Sequence, residues 1–475
     1  MHSMPMSAKQ KSVYVCSECG HQEAKWLGRC PGCGEWNTLL ESSPTPGGKK
    51  KNTSKKDKLE ALPLSEVKTG DRVFIDSGND ETNRVLGGGI VRGASILIGG
   101  EPGIGKSTLM LEIAGNAKGK GPVLYISGEE SSEQIKMRSE RIGINGKKIS
   151  LLTDTSLERI ESVLNSKNPE VIIIDSIQTL ISREAGNVPG TVNQIKYCCY
   201  EIIQWAKEHN AAVFFVAHVT KEGSIAGPKV IEHLVDTVCY FEHTGNEVRI
   251  LRSMKNRFGS VDEIGLFSMS EKGLVQVINP SSAFLVFRED SIPPGIAVAS
   301  IYEGSRPFLV EIQALVVPAK GGISRIYADK IDSNRVSRVA AVLEKHIELR
   351  FSDQDIYVNV AGGIRIQEVG VELPLAVALY SARTGLAVPE KSVLSGELTL
   401  AGEIRPIAHR KRRETTAREM GFTRFIAPPE RESTVRGGSG KSSVSGSNTA
   451  AKSTDGVYNI RDCVKLLFNS GKNAL

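Results

Sequence analysis

The run Gly100-Glu101-Pro102-Gly103-Ile104-Gly105-Lys106-Ser107 fits the pattern G-x-x-x-x-G-K-[ST]. Those residue types at that spacing suit one task, the holding of a phosphate chain. Glycines let backbone N–H groups close in on the oxygens, and a helix opening there adds the partial positive charge of its N-terminus. Lys106 would reach the β- and γ-phosphates of ATP. The Ser107 hydroxyl would ligate Mg²⁺, and Thr108 continues into the helix. A cradle binds but does not hydrolyse, so acidic partners are needed. Asp175 ends the apolar run Val171-Ile172-Ile173-Ile174, where a carboxylate can hold the metal-bound water. Glu129 and Glu130 follow another run, Val123-Leu124-Tyr125-Ile126-Ser127, and one of them is placed to polarise the attacking water. His218, after Val213 to Ala217, is a candidate γ-phosphate sensor.

A second constellation binds metal. Cys16-x-x-Cys19 and Cys30-x-x-Cys33 are ten residues apart. Two such knuckles converge four thiolates on the tetrahedron that Zn²⁺ accepts, with no position left open for catalysis. Gly20 and Gly34 follow the second cysteine of each pair and can take the positive φ of a tight knuckle. So small a module draws its stability from the metal. A redox C-x-x-C or a disulfide pair is the alternative; His21 is a spare ligand and reads as a surface residue. Cys198, Cys199, Cys239 and Cys463 sit among apolar neighbours and read as buried thiols.

The elements that must position these groups are legible as alternation. Strand candidates lie at 95–99, 123–127, 171–175, 212–217, 237–242 and 247–252, nearly continuous in Ile, Val and Leu. Such runs belong to strands buried on both faces of a parallel sheet. With helical segments between the earlier runs, residues 60–280 read as an α/β doubly wound domain. The last two runs are close together and are expected to add antiparallel strands at one edge. Residues 281–475 read as an α+β domain. It has helices from Ser333 and over Leu373 to Ala382, a hairpin over Leu394 to Ile407 and a last short element over Val457 to Leu467. Residues 432–455 are Ser, Gly, Thr and Lys with almost no large apolar residue and read as a disordered insertion. Residues 41–59, after the cysteine module of 1–40, read as a basic flexible linker.

The strand-end pattern resembles the RecA-type ATPase core. Lys255-Asn256-Arg257-Phe258-Gly259 resembles the signature pentapeptide of the bacterial RadA (Sms) DNA repair family. The four-cysteine knuckle, the phosphate loop, the pentapeptide and a C-terminal Lon-protease-like domain occur in that order in the family. The resemblance implies a DNA-dependent ATPase, a homohexameric ring that moves on single-stranded and branched DNA. It further implies branch migration during recombination and a recombinase partner of the RecA kind. It makes Glu129 the water-activating carboxylate and has Lys255 and Arg257 act at a neighbouring subunit's ATP site or on DNA.

The C-terminal resemblance to Lon rests on Gly396 to Ile407. Lon proteases use a Ser–Lys dyad. By the resemblance the lysine falls on Lys411 and the serine on or near Gly370, in a segment Glu368 to Leu373 that holds no Ser, Thr or Cys. Without a hydroxyl or thiol to activate, a lysine cannot perform covalent acyl transfer. The domain is then expected to be a scaffold for the ring and for DNA. Arg410, Lys411, Arg412 and Arg413 form a basic patch, and Lys330, Arg335 and Arg338 flank the helix from Ser333.

Composition bounds the rest. The chain has 475 residues, 40% hydrophobic, and a net charge of +6. No stretch approaches about 18 apolar residues, so no transmembrane helix and no membrane partner is expected. The first fifteen residues hold no signal-peptide core, and the chain reads as cytoplasmic. The lysines at 49, 50, 51, 55, 56 and 58 crowd one segment and, beside a nucleotide-driven motor, favour a polyanion such as DNA. Two other classes stay open: an ATP-dependent protease, and a nucleotide-gated scaffold that hydrolyses little.

Overall fold

The computed structural model describes residues 13–16, 21–32, 34–42, 63, 65, 74–186, 188–218, 227–244, 248–261, 263–286, 288, 291–320, 324–429 and 456–468. Cys19, Cys33, the lysine-rich stretch of the linker and the 432–455 insertion lie outside them. Strands β1 (Val13–Cys16), β2 (Gln22–Glu23) and β3 (Leu39–Ser42) form a small antiparallel sheet in the order β2-β1-β3. β3 runs two residues into the span read as linker.

A short ribbon, β4 (Phe74–Ile75) with β5 (Ile90–Val91), encloses α1 (Asp80–Val85). Then follow β6 (Ser95–Gly100), α2 (Lys106–Asn116), β7 (Val123–Ser127), α3 (Ser132–Arg141), β8 (Ile149–Leu152), α4 (Leu157–Lys167) and β9 (Val171–Asp175). The series continues with α5 (Val192–Glu208), β10 (Ala212–His218), α6 (Gly227–Glu232), β11 (Thr237–His243), β12 (Val248–Asn256), β13 (Ile264–Ser270) and β14 (Gly273–Gln276). Among the described residues nine of these strands make one sheet, ordered β14-β13-β12-β11-β6-β10-β9-β7-β8. β6, β7 and β9 are buried along their whole length, as strands covered on both faces must be. Local chemistry agrees with the helices. α3 opens on a capping box in which Ser131 and Gln134 satisfy each other's backbone N–H groups.

One expectation needs correcting. β11 runs with the earlier strands, not against them: it pairs parallel with β6, Thr237 opposite Ile96 and Phe241 opposite Gly100. α6 precedes it and supplies a crossover, which returns a chain parallel. Antiparallel pairing starts only at β12 and continues through β13 and β14.

The C-terminal part holds β15 (Ile296–Glu303), β16 (Arg306–Pro318), β17 (Ile326–Asp329), α7 (Ser333–Ile347), β18 (Gln354–Val360), α8 (Glu372–Thr384) and β19 (Ser392–Leu394). The hairpin β20 (Glu397–Leu398) and β21 (Ile404–Arg405), α9 (Arg410–Glu419), β22 (Arg424–Ile426) and α10 (Ile460–Phe468) complete it. Its sheet runs β17-β18-β16-β15-β19-β22. α7 buries Val336, Val339, Ala340 and Leu343, one stripe at helical spacing, against a core that also takes in Val248, Ile250, Ile264 and Leu266 of the large sheet. The two sheets therefore share apolar packing. The ion pair Arg252–Glu303 (3.1 Å) also joins them, and Arg306–Glu81 ties β16 to α1. The fold is α/β with a RecA-like ATPase core, an N-terminal zinc ribbon and a Lon-like α+β domain. No described helix is long and apolar enough to cross a membrane.

Candidate nucleotide site

β6 ends in the glycine run, and α2 opens directly after it, at Lys106. Gly103 (φ +77°) and Gly105 (φ +112°) take left-handed backbone that a side chain resists, which lets the loop curl over the helix start. Inside the curl, Lys106 Nζ donates to the carbonyls of Gly100 (2.8 Å) and Glu101 (2.9 Å) and lies 3.2 Å from His218 Nδ1. Burial of this ammonium pushes its pKa down to about 8, against the pull of Asp175 and Glu129. A buried cation held mainly by neutral carbonyls fits the anionic phosphates of ATP. Ser107, half-buried on the first turn, and Asp175, buried at the end of β9, fit the oxygen-ligand preference of Mg²⁺.

The parallel register brings the acidic groups to the same edge. β10 and β11 flank β6, and β9 and β7 follow outward, so Gly100, His218, Asp175 and Ser127 end side by side. Tyr125 donates to Asp175 Oδ2 at 2.6 Å and fixes that carboxylate. Glu129 accepts from Ser176 Oγ at 2.5 Å and from His218 Nε2 at 3.2 Å. Glu130 is bound instead to Arg138 of α3. Of the two glutamates, Glu129 is the one joined to the Lys106–His218 chain. Sequence reading had no signal for Tyr125 or Ser176, whose roles come only from register.

The pentapeptide lies elsewhere. β12 is antiparallel to β11, with Asn256 opposite Thr237 and Lys255 opposite Val238. Thr237 in turn faces Ile96, so the motif is level with the start of β6 and the phosphate loop with its end. Four residues of strand, about 13 Å, separate the two levels. Lys255 Nζ donates to the carbonyls of Glu232 and Val235, both at 2.7 Å, and burial lowers its pKa. Arg257 reaches Asp236 at 3.2 Å with 58% of its side chain exposed. Asn256 Oδ1 accepts from the N–H groups of Phe258 and Gly259 and shapes the turn. Gly259 packs on Gly87 so closely that a Cβ on Gly87 would stand 2.9 Å from the Gly259 Cα. Neither cation is brought to the phosphate loop of its own chain.

The position read as the Lon dyad is arranged differently from the sequence expectation. α9 turns Lys411 to solvent and buries Arg413, with Ala417 one turn on. Arg413, 1% exposed, grips Glu368 and donates to the carbonyls of Ser300 (2.8 Å) and Ala408 (2.9 Å). A hydroxyl does lie nearby: a Cβ on Gly370 would be 3.2 Å from Ser395 Oγ. That hydroxyl is buried and donates to Ser300 O at 2.8 Å. Of the basic residues assigned to DNA, Arg335 is spent on the carbonyls of Glu368 (3.0 Å) and Gln367 (2.8 Å). Arg338 pairs with Glu372. Arg410 is half-buried over the Phe425 ring, Lys330 is half-buried, and Arg412 is exposed, 3.2 Å from the Tyr302 hydroxyl.

In the N-terminal module Cys16 and Cys30 are buried. Gly32 N–H donates to Cys30 Sγ at 3.3 Å, as a metal knuckle's backbone does for a thiolate. Gly34 has the positive φ expected (+79°), and His21 pairs with Glu23 at 3.0 Å. Among the described residues the buried core here is Cys16, Cys30 and Leu39, a small core that Zn²⁺ on four thiolates would reinforce.

Three family models match: a rubredoxin metal binding domain over 14–41, an AAA domain over 59–224, and subunit ChlI of Mg-chelatase over 327–431. The chain is 51% identical over 425 residues to a protein of Treponema pallidum (strain Nichols) named DNA repair protein RadA. Proteins of the same name from Bacillus subtilis (strain 168) and Streptococcus pyogenes serotype M1 are 42% and 44% identical. Each alignment covers 89% of this chain and 93% of the relative.

Proposed function

The chain belongs to the RadA family of DNA repair proteins, and on that premise we propose that it is a DNA-stimulated ATPase that translocates on single-stranded DNA and drives branch migration of recombination intermediates. One observation carries the reading. Lys106, Glu129 and Asp175 gather at one end of the central sheet, whereas Lys255 and Arg257 stand at the other. Such a division suits a ring, the set of charges in each subunit being completed by the next: cations that do not reach their own phosphates serve a neighbour's, or grip DNA.

Lys106 and the loop amides hold the phosphates of ATP. Ser107 and Asp175 are the ligands that Mg²⁺ would use, and that ion would offset charge on the β- and γ-oxygens. Glu129, anchored by Ser176 and His218, takes the proton of the attacking water. Arg257, exposed, is the finger lent to the neighbouring site, with Lys255 behind it. Zn²⁺ on Cys16, Cys19, Cys30 and Cys33 is structural. The exposed basic groups of α9, Lys411 and Arg412, contribute to DNA binding, and a homohexamer working with a RecA-type recombinase in the cytoplasm completes the reading. The four units proposed are 1–40, 41–59, 60–280 and 281–475.

Proteolysis is not expected. Gly370 offers no nucleophile, Ser395 is buried on a carbonyl, and the cation that shares this carbonyl is an arginine, which stays protonated and cannot act as a base.

The test is ATP hydrolysis by the full-length protein with and without single-stranded DNA across a salt series, paired with a branch-migration assay on a labelled three-strand intermediate. Stimulation that fades as salt rises, with ATP-dependent strand movement, is expected. A rate indifferent to DNA overturns the translocase and favours a nucleotide-gated scaffold.

A further inference from the structure

A second cation touches the phosphate loop, and no motif marks it. Arg249 stands at the start of β12, opposite His243 in register, at the sheet end where the loop begins. Its Nη1 donates to the carbonyl of Ile104, in the middle of the glycine turn. Room for it exists because residue 105 is glycine: a Cβ there would lie 2.8 Å from Nη1 and 3.1 Å from Met269 Cε. Among the described residues Arg249 Nε is buried without a hydrogen-bond partner, and the Ile104 carbonyl is the group that the guanidinium meets.

The chemistry follows from the peptide unit. The C=O of Ile104 and the N–H of Gly105 belong to one planar trans peptide and point in opposite directions. A guanidinium on the outer side of the carbonyl fixes the plane, so the N–H is directed away from Arg249. A charge-assisted hydrogen bond also polarises the amide and makes that N–H a stronger donor. Gly105 directly precedes Lys106, so this donor belongs to the part of the loop that would meet phosphate oxygens.

We propose that Arg249 is a positioning residue of the nucleotide site, which fixes and polarises the Ile104–Gly105 peptide so that its N–H is presented to the phosphate chain of a nucleoside di- or triphosphate. The inference rests on the reading of this loop as an ATP site. It assigns Arg249 no contact with the substrate, which separates it from Lys106.

The full-length protein titrated with a fluorescent ADP analogue and Mg²⁺ tests it, alongside ATP turnover and the melting midpoint without nucleotide. Arg249→Met keeps the aliphatic stem and removes donor and charge. Its Kd for ADP and KM for ATP are expected to rise about tenfold, the scale of one charge-assisted hydrogen bond, with kcat within about twofold. Arg249→Lys restores a single donor and recovers most of the loss. A merely structural brace would lower the nucleotide-free melting midpoint of Arg249→Met and leave Kd at the wild-type value, and that result overturns the proposal. So does an Arg249→Lys that binds no better than Arg249→Met. Wild-type protein that binds no nucleotide would instead defeat the ATP-site reading itself.

Discussion

The phosphate loop and the packing around Glu368 each bury a cation, and they treat it in opposite ways. Lys106 is held by two carbonyls and a histidine, with Glu129 one contact further away. Arg413 is closed in an ion pair with Glu368 and capped by the Ser300 and Ala408 carbonyls. A site that must bind an anion keeps its cation under-neutralised, and the lowered pKa of Lys106 is the mark of that. A site with its charge already satisfied has nothing left to offer a substrate. The second arrangement favours the fold, the first favours binding.

The widest separation between the two should appear on deleting each cation. Lys106→Ala is expected to leave no measurable ATP turnover, and Glu129→Gln to lose about 10²–10⁴-fold, the span of a lost general base. Neither should disturb the far-ultraviolet circular dichroism. Turnover by Lys106→Ala at the wild-type rate would break the comparison at its root.

Next in size is the exposed cation at the far end of the sheet. Arg257→Ala should lose about 10³-fold in turnover if it serves as a finger on a neighbour's phosphates. Mixing it with Lys106→Ala subunits should restore part of the activity, because the second variant lends its intact Arg257 to the first's intact loop. Failure to restore, or full DNA-independent turnover in Arg257→Ala alone, would confine Arg257 to DNA contact.

The Arg413–Glu368 pair is expected to register in stability. Arg413→Ala strands a carboxylate that is largely buried, which costs about 3–5 kcal/mol. Thermal melting reads this, while the nucleotide Kd measured well below the transition should be unchanged. The double variant Arg413→Met, Glu368→Gln should regain much of the loss, since no ion is left without its partner. A nucleotide site disabled by Arg413→Ala at low temperature would show that the two regions are not independent.

What the chain revealed in advance follows the same contrast between contiguous and assembled features. The loop 100–107 is one unbroken segment, so its role is visible in the sequence, and Asp175 and Glu129 announce themselves by ending apolar runs. Arg249, Tyr125 and Ser176 are brought in only by strand register, and nothing local marks them. β8 escaped notice because it is a half-buried edge strand without a continuous apolar run. The direction of β11 was misjudged because the short crossover α6 carries too few residues to show a helical period. The Lon resemblance puts Lys411 at the position of the dyad lysine, whereas the structure buries Arg413 there. The choice is made by helix phase, since Arg413 and Ala417 share the inward face of α9 and Lys411 does not.

The smallest expected effect is also the most direct reading of the under-neutralised cation. In the nucleotide-free protein Lys106 loses its proton near pH 8, far below its usual 10.5. Bound phosphates favour the ammonium, so above pH 8 binding must take up a proton. Affinity for ADP should therefore be flat from pH 6.5 to 7.5 and fall by up to about tenfold per pH unit above 8. The folding contribution has the matching sign. A lowered lysine pKa favours the folded state above 10.5, and that benefit is gone once the pH has fallen through 8. Lys106→Met, which removes the buried charge, should accordingly raise the nucleotide-free melting midpoint at pH 7 and change it little at pH 10. Arg413→Met should lower the midpoint at both, because a guanidinium stays charged throughout and its pairing with Glu368 is worth the same at either pH. A nucleotide affinity that does not change between pH 7 and 9 would mean that the Lys106 ammonium is as well satisfied without phosphate as Arg413 is by its carboxylate.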